Sequence, residues 1–121
     1  MQRPLSPHLQ IYKLQLTSAM SILHRISGIG FVNIMLFVVF FLYTLIAGEE
    51  CYNAFCNFLN HPIIKVAIIL ALACVYYHLL NGLRYLIWGL GIGLELKKFY
   101  LSGWVIFLLV TALTIFTGML L

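Results

Sequence analysis

Three long apolar stretches divide the chain, and none of them contains Asp, Glu, Lys or Arg. The uncharged stretches are Ile26–Gly48, Val66–Leu83 and Phe99–Leu121. A helix rises about 1.5 Å per residue, so roughly 20 apolar residues cross the hydrocarbon core of a bilayer. Each stretch has about that length, and the pattern therefore predicts an all-α membrane protein. The predicted transmembrane helices cover about residues 27–47, 63–88 and 101–120.

The composition agrees with a membrane location. Of 121 residues, 64% are hydrophobic and 8% are charged, and the mean hydropathy is +1.07. A soluble domain of this size has too much surface per volume to bury so many apolar side chains. The net charge of +4 comes from dispersed basic residues, which do not form the basic face of a nucleic-acid-binding protein. Membrane lipid is therefore the expected partner, and nucleic acid is not.

The basic residues predict how the chain is oriented. The sequence suggests an N-terminal interfacial arm at residues 1–20, a transmembrane domain at residues 21–121, and two loops that connect the three spans. Six of the seven basic residues fall in the arm, at the start of the first span or around the second loop. They are Arg3, Lys13, Arg25, Arg84, Lys97 and Lys98. Because Lys and Arg accumulate on the cytoplasmic side, the N-terminus is expected in the cytoplasm or the mitochondrial matrix.

The entrance of the first span carries polar residues that share one helical face. Ser21, His24, Arg25 and Gly28 are spaced i, i+3, i+4 and i+7, so a helix brings them together. A hydroxyl and a guanidinium can donate to a quinone carbonyl, and an imidazole with a guanidinium can bind a haem propionate. Alternatively, Arg25 is a topology charge that reaches the interface and Ser21 caps the helix.

The second span contains a histidine at lipid depth. His78 lies six residues before Arg84, about 9 Å deeper along a helix. A buried histidine can ligate a metal through one nitrogen when the other has a partner. Gly82 would leave room for a porphyrin edge, and the Tyr85 hydroxyl could reach a propionate. Alternatively, His78 bonds a carbonyl of a neighbouring helix and Gly82 is a packing notch.

The two motifs support each other. The predicted topology brings Ser21, His24, Arg25 and Tyr85 to the basic side of the membrane, with His78 deeper. This order suits a haem whose iron is buried and whose acidic groups point to the basic side. The chain offers one well-placed intramembrane histidine, so a six-coordinate haem would need a ligand from a partner subunit.

The sequence resembles a known family over nearly its whole length. The segments "RPLSPHLQIYKLQLTSAMSILHRISGIG" (Arg3–Gly30) and "HLLNGLRYLIW" (His78–Trp88) resemble the cytochrome b membrane-anchor subunit of succinate dehydrogenase, respiratory complex II. The Ser-x-x-His-Arg motif and the later His-x-x-x-Gly-x-Arg motif both fall in the expected spans.

The resemblance implies a role for each matching residue. Ser21 and Arg25 would help to bind ubiquinone, His24 would contact a haem propionate, and His78 would be an axial ligand of haem b. The other axial ligand would come from a second membrane-anchor subunit. Electrons from succinate would arrive through a flavoprotein subunit and an iron–sulfur subunit, onto which the N-terminal arm would help to dock. The location would be a bacterial or mitochondrial inner membrane.

The chain departs from the family pattern at two positions. Family members often carry a histidine after the motif arginine and an acidic residue just beyond, where this chain has Tyr85 and Gly89. A tyrosine donates a hydrogen bond but supplies no positive charge. Two other functions stay open: a structural anchor without haem, and a small transporter or proton-channel subunit. The absence of Asp and Glu from the spans counts against the transporter.

Overall fold

The computed structural model describes Lys13 and residues 15–121, which form four α-helices. The helices are α1 Leu16–Ala47, α2 Glu49–Leu59, α3 Pro62–Gly89 and α4 Leu96–Leu120. Three of them, α1, α3 and α4, are long and apolar enough to cross a membrane. The predicted all-α architecture with three transmembrane helices is therefore confirmed.

The first helix begins earlier than the first predicted span. It starts at Leu16 and continues through the polar motif to Ala47. The rest of the predicted N-terminal arm, residues 1–12 and Leu14, lies outside the described residues. A run of uncharged residues marks only the part of a helix that lies within the hydrocarbon of the membrane. The helix itself can extend beyond that part, because helix propensity does not depend on the surrounding lipid. The polar motif is therefore one continuous helical surface with the apolar span.

The segment after α1 is helical, and its interpretation as a simple loop is wrong. Gly48, with φ of 108°, separates α1 from α2 by a single residue. Phe55 of α2 is buried and its ring centre lies 5.4 Å from that of Phe37 and 5.8 Å from that of Phe41. The helix folds back on α1 because burying this aromatic side chain stabilises it, although its Glu and Asn residues are typical of a loop.

The third helix lies centrally and packs against both α1 and α4. Met20, Tyr77 and Ile106, one residue from each transmembrane helix, form the small apolar core. Most large apolar side chains instead point outward, as expected for helices that cross a membrane. Much of the buried interior is polar: the buried polar side chains are Ser27, Thr44, Asn81 and Arg84.

Candidate functional site

His24 and His78 meet face to face between α1 and α3. Their rings are nearly parallel, at 5°, with centroids 4.2 Å apart. Phe31 stacks on the other side of His78 at 5.8 Å, and Tyr85 packs edge-on against His24 at 5.0 Å. The four rings form a column along the helix interface. Two histidines separated by 53 intervening positions in sequence are thus brought together.

One nitrogen of His78 is held inside the chain. Nδ1 lies 3.2 Å from the Ser27 hydroxyl oxygen and 3.3 Å from the backbone carbonyl oxygen of His24. The Ser27 hydroxyl donates its own proton to that carbonyl, at 2.8 Å. Because the carbonyl can only accept, this network assigns the proton to Nδ1 of His78. The lone pair of neutral His78 is then on Nε2.

The Nε2 atom of His78 has no hydrogen-bond partner among the described residues, and it is not sealed inside the chain. A histidine anchored by Nδ1 with an open Nε2 is the arrangement of a metal ligand. The alternative interpretation, that His78 bonds a carbonyl of a neighbouring helix, also agrees with the structure, since Nδ1 bonds the carbonyl of His24 on α1. The two interpretations concern different nitrogens, so both can hold.

The donor set fits a haem iron better than a bare ion. The described residues contain no group of three His, Cys, Asp or Glu side chains that could hold a metal ion. A haem needs only axial ligands from protein. His24 cannot share one iron with His78 in this geometry, because imidazole lone pairs lie in the ring planes and the two rings are stacked.

Two glycines permit the close approach of α1 and α3. A Cβ atom at Gly28 would lie 3.3 Å from Cε1 of His78, and one at Gly82 would lie 3.6 Å from Cε1 of His24. Each glycine of the two motifs thus faces the histidine of the other motif. The distance at Gly82 is an ordinary van der Waals contact, so a packing notch and room for a porphyrin edge both stay predictions for this position.

Ser21 and Arg25 lie beside the histidine column. Ser21 is half-buried and Arg25 is exposed. The residue that caps α1 is Gln15, so the interpretation of Ser21 as a helix cap is wrong. Arg25 makes no ion pair with a described residue. Both donors are therefore available at the surface of the chain, next to His24.

His24 carries an unsatisfied group. Its Nδ1 is enclosed and has no partner among the described residues. Enclosed imidazole nitrogens nearly always have a hydrogen-bond partner. Together with the edge contact to Tyr85, this places an unpaired polar atom at the basic end of the column.

Sequence reasoning missed the most heavily bonded side chain, Arg84, by treating it as a topology charge. It is only 5% exposed. Its Nε donates to the Ser102 hydroxyl at 2.9 Å, and its Nη2 donates to the Phe99 carbonyl at 2.6 Å. The guanidinium also lies 4.1 Å from the ring centre of Trp88 and 4.8 Å from that of Phe99. The nearby Trp88, one turn further along α3, was the available signal, since Arg stacks on aromatic faces.

The third guanidinium nitrogen of Arg84 joins α1 to this cluster. Nη1 lies 3.1 Å from the sulfur of Met20 and 3.3 Å from Oδ1 of Asn81. The Tyr77 hydroxyl donates to the Met20 carbonyl at 2.8 Å. Arg84 thus ties α3 to both α1 and α4, which makes its contribution structural.

Comparison with known proteins shows which family the chain resembles. Residues 1–117 match the family described as "Succinate dehydrogenase/Fumarate reductase transmembrane subunit". The chain is 45% identical over 107 residues to the succinate dehydrogenase cytochrome b560 subunit of Marchantia polymorpha, covering 84% of this chain and 77% of the relative. It is 39% identical over 103 residues to the cytochrome b556 subunit of Rickettsia felis, covering 85% of this chain and 80% of the relative.

A third relative, the succinate dehydrogenase cytochrome b560 subunit of Chondrus crispus, is 39% identical over 116 residues, covering 90% of this chain and 87% of the relative. The similarity spans both motifs and all three membrane helices. The chain therefore belongs to the family of transmembrane subunits of succinate dehydrogenase and fumarate reductase.

Proposed function

We propose that the chain binds haem b through His78 and forms part of a ubiquinone-reduction site with Ser21 and Arg25. In this role it passes electrons from succinate oxidation to quinone, as a membrane anchor that is not catalytic alone. The observation that carries the proposal is the asymmetric bonding of His78. Its Nδ1 is held by Ser27 and a backbone carbonyl, while its Nε2 is open.

The haem site would be shared between chains. His78 offers one axial ligand, and the stacked geometry of His24 excludes it as the second on the same iron. A second membrane-anchor subunit is therefore expected to supply the other ligand. The relatives named cytochrome b556 and b560 subunits support haem b. When bound, haem b supplies reversible one-electron transfer.

The chain's own residues would orient that group. The hydroxyl of Tyr85 and Nε2 of His24 are the donors proposed for carboxylate groups at the basic end of the ring column, since Nδ1 of His24 is enclosed and out of reach. A tyrosine hydroxyl carries no positive charge, so Tyr85 would hold a propionate by a hydrogen bond without the ion pair that an ionised histidine adds. His78 and Gly82 would lie against the haem macrocycle.

The quinone site would form beside His24. Ser21 and Arg25 can each donate a hydrogen bond to a quinone carbonyl, and Arg25 is exposed for such a contact. We place this site on the cytoplasmic or matrix side of a bacterial or mitochondrial inner membrane. There the iron–sulfur subunit would deliver electrons received from the flavoprotein subunit.

The haem proposal is tested by the visible spectrum of the purified complex. His78→Ala should abolish the reduced b-type absorption band, because no other described nitrogen has the same anchored and open arrangement. His61→Ala is the matched control, since His61 is exposed at the start of α3 and its loss should leave the band intact. A b-type band that persists in His78→Ala would assign the ligand elsewhere. Absence of the band from the native complex itself would indicate a haem-free anchor.

The quinone proposal is tested by comparing two assays. Ser21→Ala and Arg25→Ala should slow quinone reduction, while succinate oxidation with an artificial soluble acceptor continues. Removing one hydrogen bond to a charged donor costs about 1.5–3 kcal/mol, which corresponds to a loss of roughly 10- to 100-fold. Lys97→Ala removes an exposed basic residue and serves as the control. An equal loss of both activities would contradict a quinone role.

A further inference from the structure

We propose that Ser27 is a positioning residue that selects the orientation of the His78 ring. This inference rests on the proposed ligation of haem by His78. Ser27 is 4% exposed and bonds two groups at once: the carbonyl of His24 on its own helix, at 2.8 Å, and Nδ1 of His78 on α3, at 3.2 Å. Its hydroxyl thus links the polar motif of α1 to the candidate ligand.

Stacking alone leaves the orientation of His78 undetermined. Phe31 and His24 clamp the two faces of the ring, at interplanar angles of 12° and 5°, so they fix its plane. A half-turn about the Cβ–Cγ bond preserves that plane but exchanges each nitrogen with a carbon. The stacking contacts barely distinguish the two orientations. The hydrogen bonds do, because Ser27 and the His24 carbonyl would face a carbon atom after the exchange.

The hydroxyl also supports the tautomer that the His24 carbonyl assigns. Ser27 gives its proton to the His24 carbonyl and therefore presents only lone pairs to His78, which keeps the imidazole proton on Nδ1. An acceptor at the far nitrogen makes a ligating imidazole more basic and a better electron donor. Loss of the hydroxyl should therefore weaken donation to the iron and shift the haem midpoint potential in the positive direction.

The test uses the whole complex, with redox titration of the b-type band and low-spin EPR. Ser27→Ala should give a positive shift in midpoint potential and a weaker low-spin signal per haem, because rings in the exchanged orientation would no longer present Nε2 for ligation. Thr44→Ala is the matched control: Thr44 is also buried in α1 and donates to the carbonyl three residues earlier, at 2.7 Å, but does not bond His78. An unchanged potential and spectrum in Ser27→Ala, or equal changes in Thr44→Ala, would overturn the proposal.

A second pair of variants separates the hydroxyl from side-chain shape. Ser27→Thr and Ser27→Val have the same outline, but only threonine retains the hydroxyl. The proposal expects a potential close to the native value in Ser27→Thr and a positive shift in Ser27→Val. Equal potentials in the two variants would overturn it. This comparison holds even if Ser27→Ala fails to assemble.

The His78→Ala variant separates this inference from the proposed function. If the b-type band survives in His78→Ala, the haem assignment itself fails, and the positioning role fails with it. If the band is lost in His78→Ala while all Ser27 variants keep the native potential, the haem assignment stands and only the role of Ser27 is wrong.

Discussion

Two polar side chains of α3, six residues apart, have opposite surroundings. All three nitrogens of the Arg84 guanidinium contact groups of this chain, whereas His78 has one nitrogen bonded and one open. We call the Arg84 contacts the closed cluster, in which Nδ2 of Asn81 is the one enclosed atom without a partner among the described residues, and the contacts of His24 and His78 the open cluster. A buried polar group that the chain itself satisfies stabilises the fold, while one left with an open atom is available for a ligand.

The two clusters also use different helix contacts. Arg84 bonds Ser102 and the Phe99 carbonyl, both on α4, and it therefore fastens the two helices on the side where the chain is self-contained. His78 faces α1, where Gly28 and Gly82 narrow the gap between the helices. Changes in the closed cluster should affect assembly and stability, and changes in the open cluster should affect spectra.

The largest expected effect is the loss of Arg84. Arg84→Ala would leave a cavity and remove the donors to Ser102, Asn81 and the Phe99 carbonyl, of which only the carbonyl keeps another donor, Ser102, at a cost of about 3–5 kcal/mol. Thermal unfolding of the detergent-solubilised complex should show a markedly lower Tm and less assembled subunit. Lys97→Ala, which removes an exposed charge, should leave the Tm unchanged. A native Tm in Arg84→Ala would mean that the closed cluster does not stabilise the helix contacts.

A smaller loss of stability is expected at Gly103, also in the closed cluster. A Cβ atom there would lie 2.9 Å from the sulfur of Met20, which is itself 1% exposed. Gly103→Ala should therefore cost about 1–3 kcal/mol from overpacking, measured by the same unfolding assay. Gly118→Ala, where the nearest atom is an ordinary 3.5 Å away, is the control on the same helix. Equal Tm values for the two variants would contradict this prediction.

The open cluster should respond differently to the same change. A Cβ at Gly28 would lie 3.3 Å from Cε1 of His78, so Gly28→Ala should push on the ring and shift the b-type spectrum, at a stability cost of roughly 1 kcal/mol. Gly30→Ala meets Cys74 at 3.5 Å and should leave the spectrum unchanged. If Gly28→Ala lowers stability as much as Gly103→Ala without any spectral change, the distinction between the clusters fails.

The smallest effect is expected at the surface. Lys98 and Glu95 form an ion pair at 2.9 Å, with side chains 61% and 71% exposed. Solvent and salt screen such a pair, so Lys98→Ala should change the free energy of unfolding by less than about 0.5 kcal/mol. Titrating Tm against salt concentration checks this: native and variant complexes should respond almost equally. A large, salt-dependent difference would show that the pair matters more than its exposure suggests.

The three membrane helices were predictable because the absence of charge over a bilayer's thickness is a property of the sequence alone. The residue types and their predicted depth in the membrane suggested that His24 and His78 belong to one site. Their stacked contact was not predictable, since it depends on how α1 and α3 rotate about their axes. Ser27 was missed for the same reason: its partner on α3 lies 51 residues away.

Two other errors have physical causes. Arg84 resembled a topology charge because a basic residue near a span end usually reaches the aqueous interface. Here the aromatic rings of Trp88 and Phe99 and a carbonyl provide a better environment within the chain. The helix α2 was not predicted because its composition is polar. Burial of one aromatic residue, Phe55, stabilises the helix, and short-range sequence patterns do not reveal such tertiary burial.

The packing of α2 on α1 has a consequence for the mechanics of this end of the protein. A single residue, Gly48, with a backbone angle that other amino acids rarely adopt, connects the two helices. Since Phe55 packs on the last turns of α1, a tilt of α1 must carry α2 along as a lever. This end of the subunit should therefore move as a single rigid body, and any hinge in the chain should be sought elsewhere.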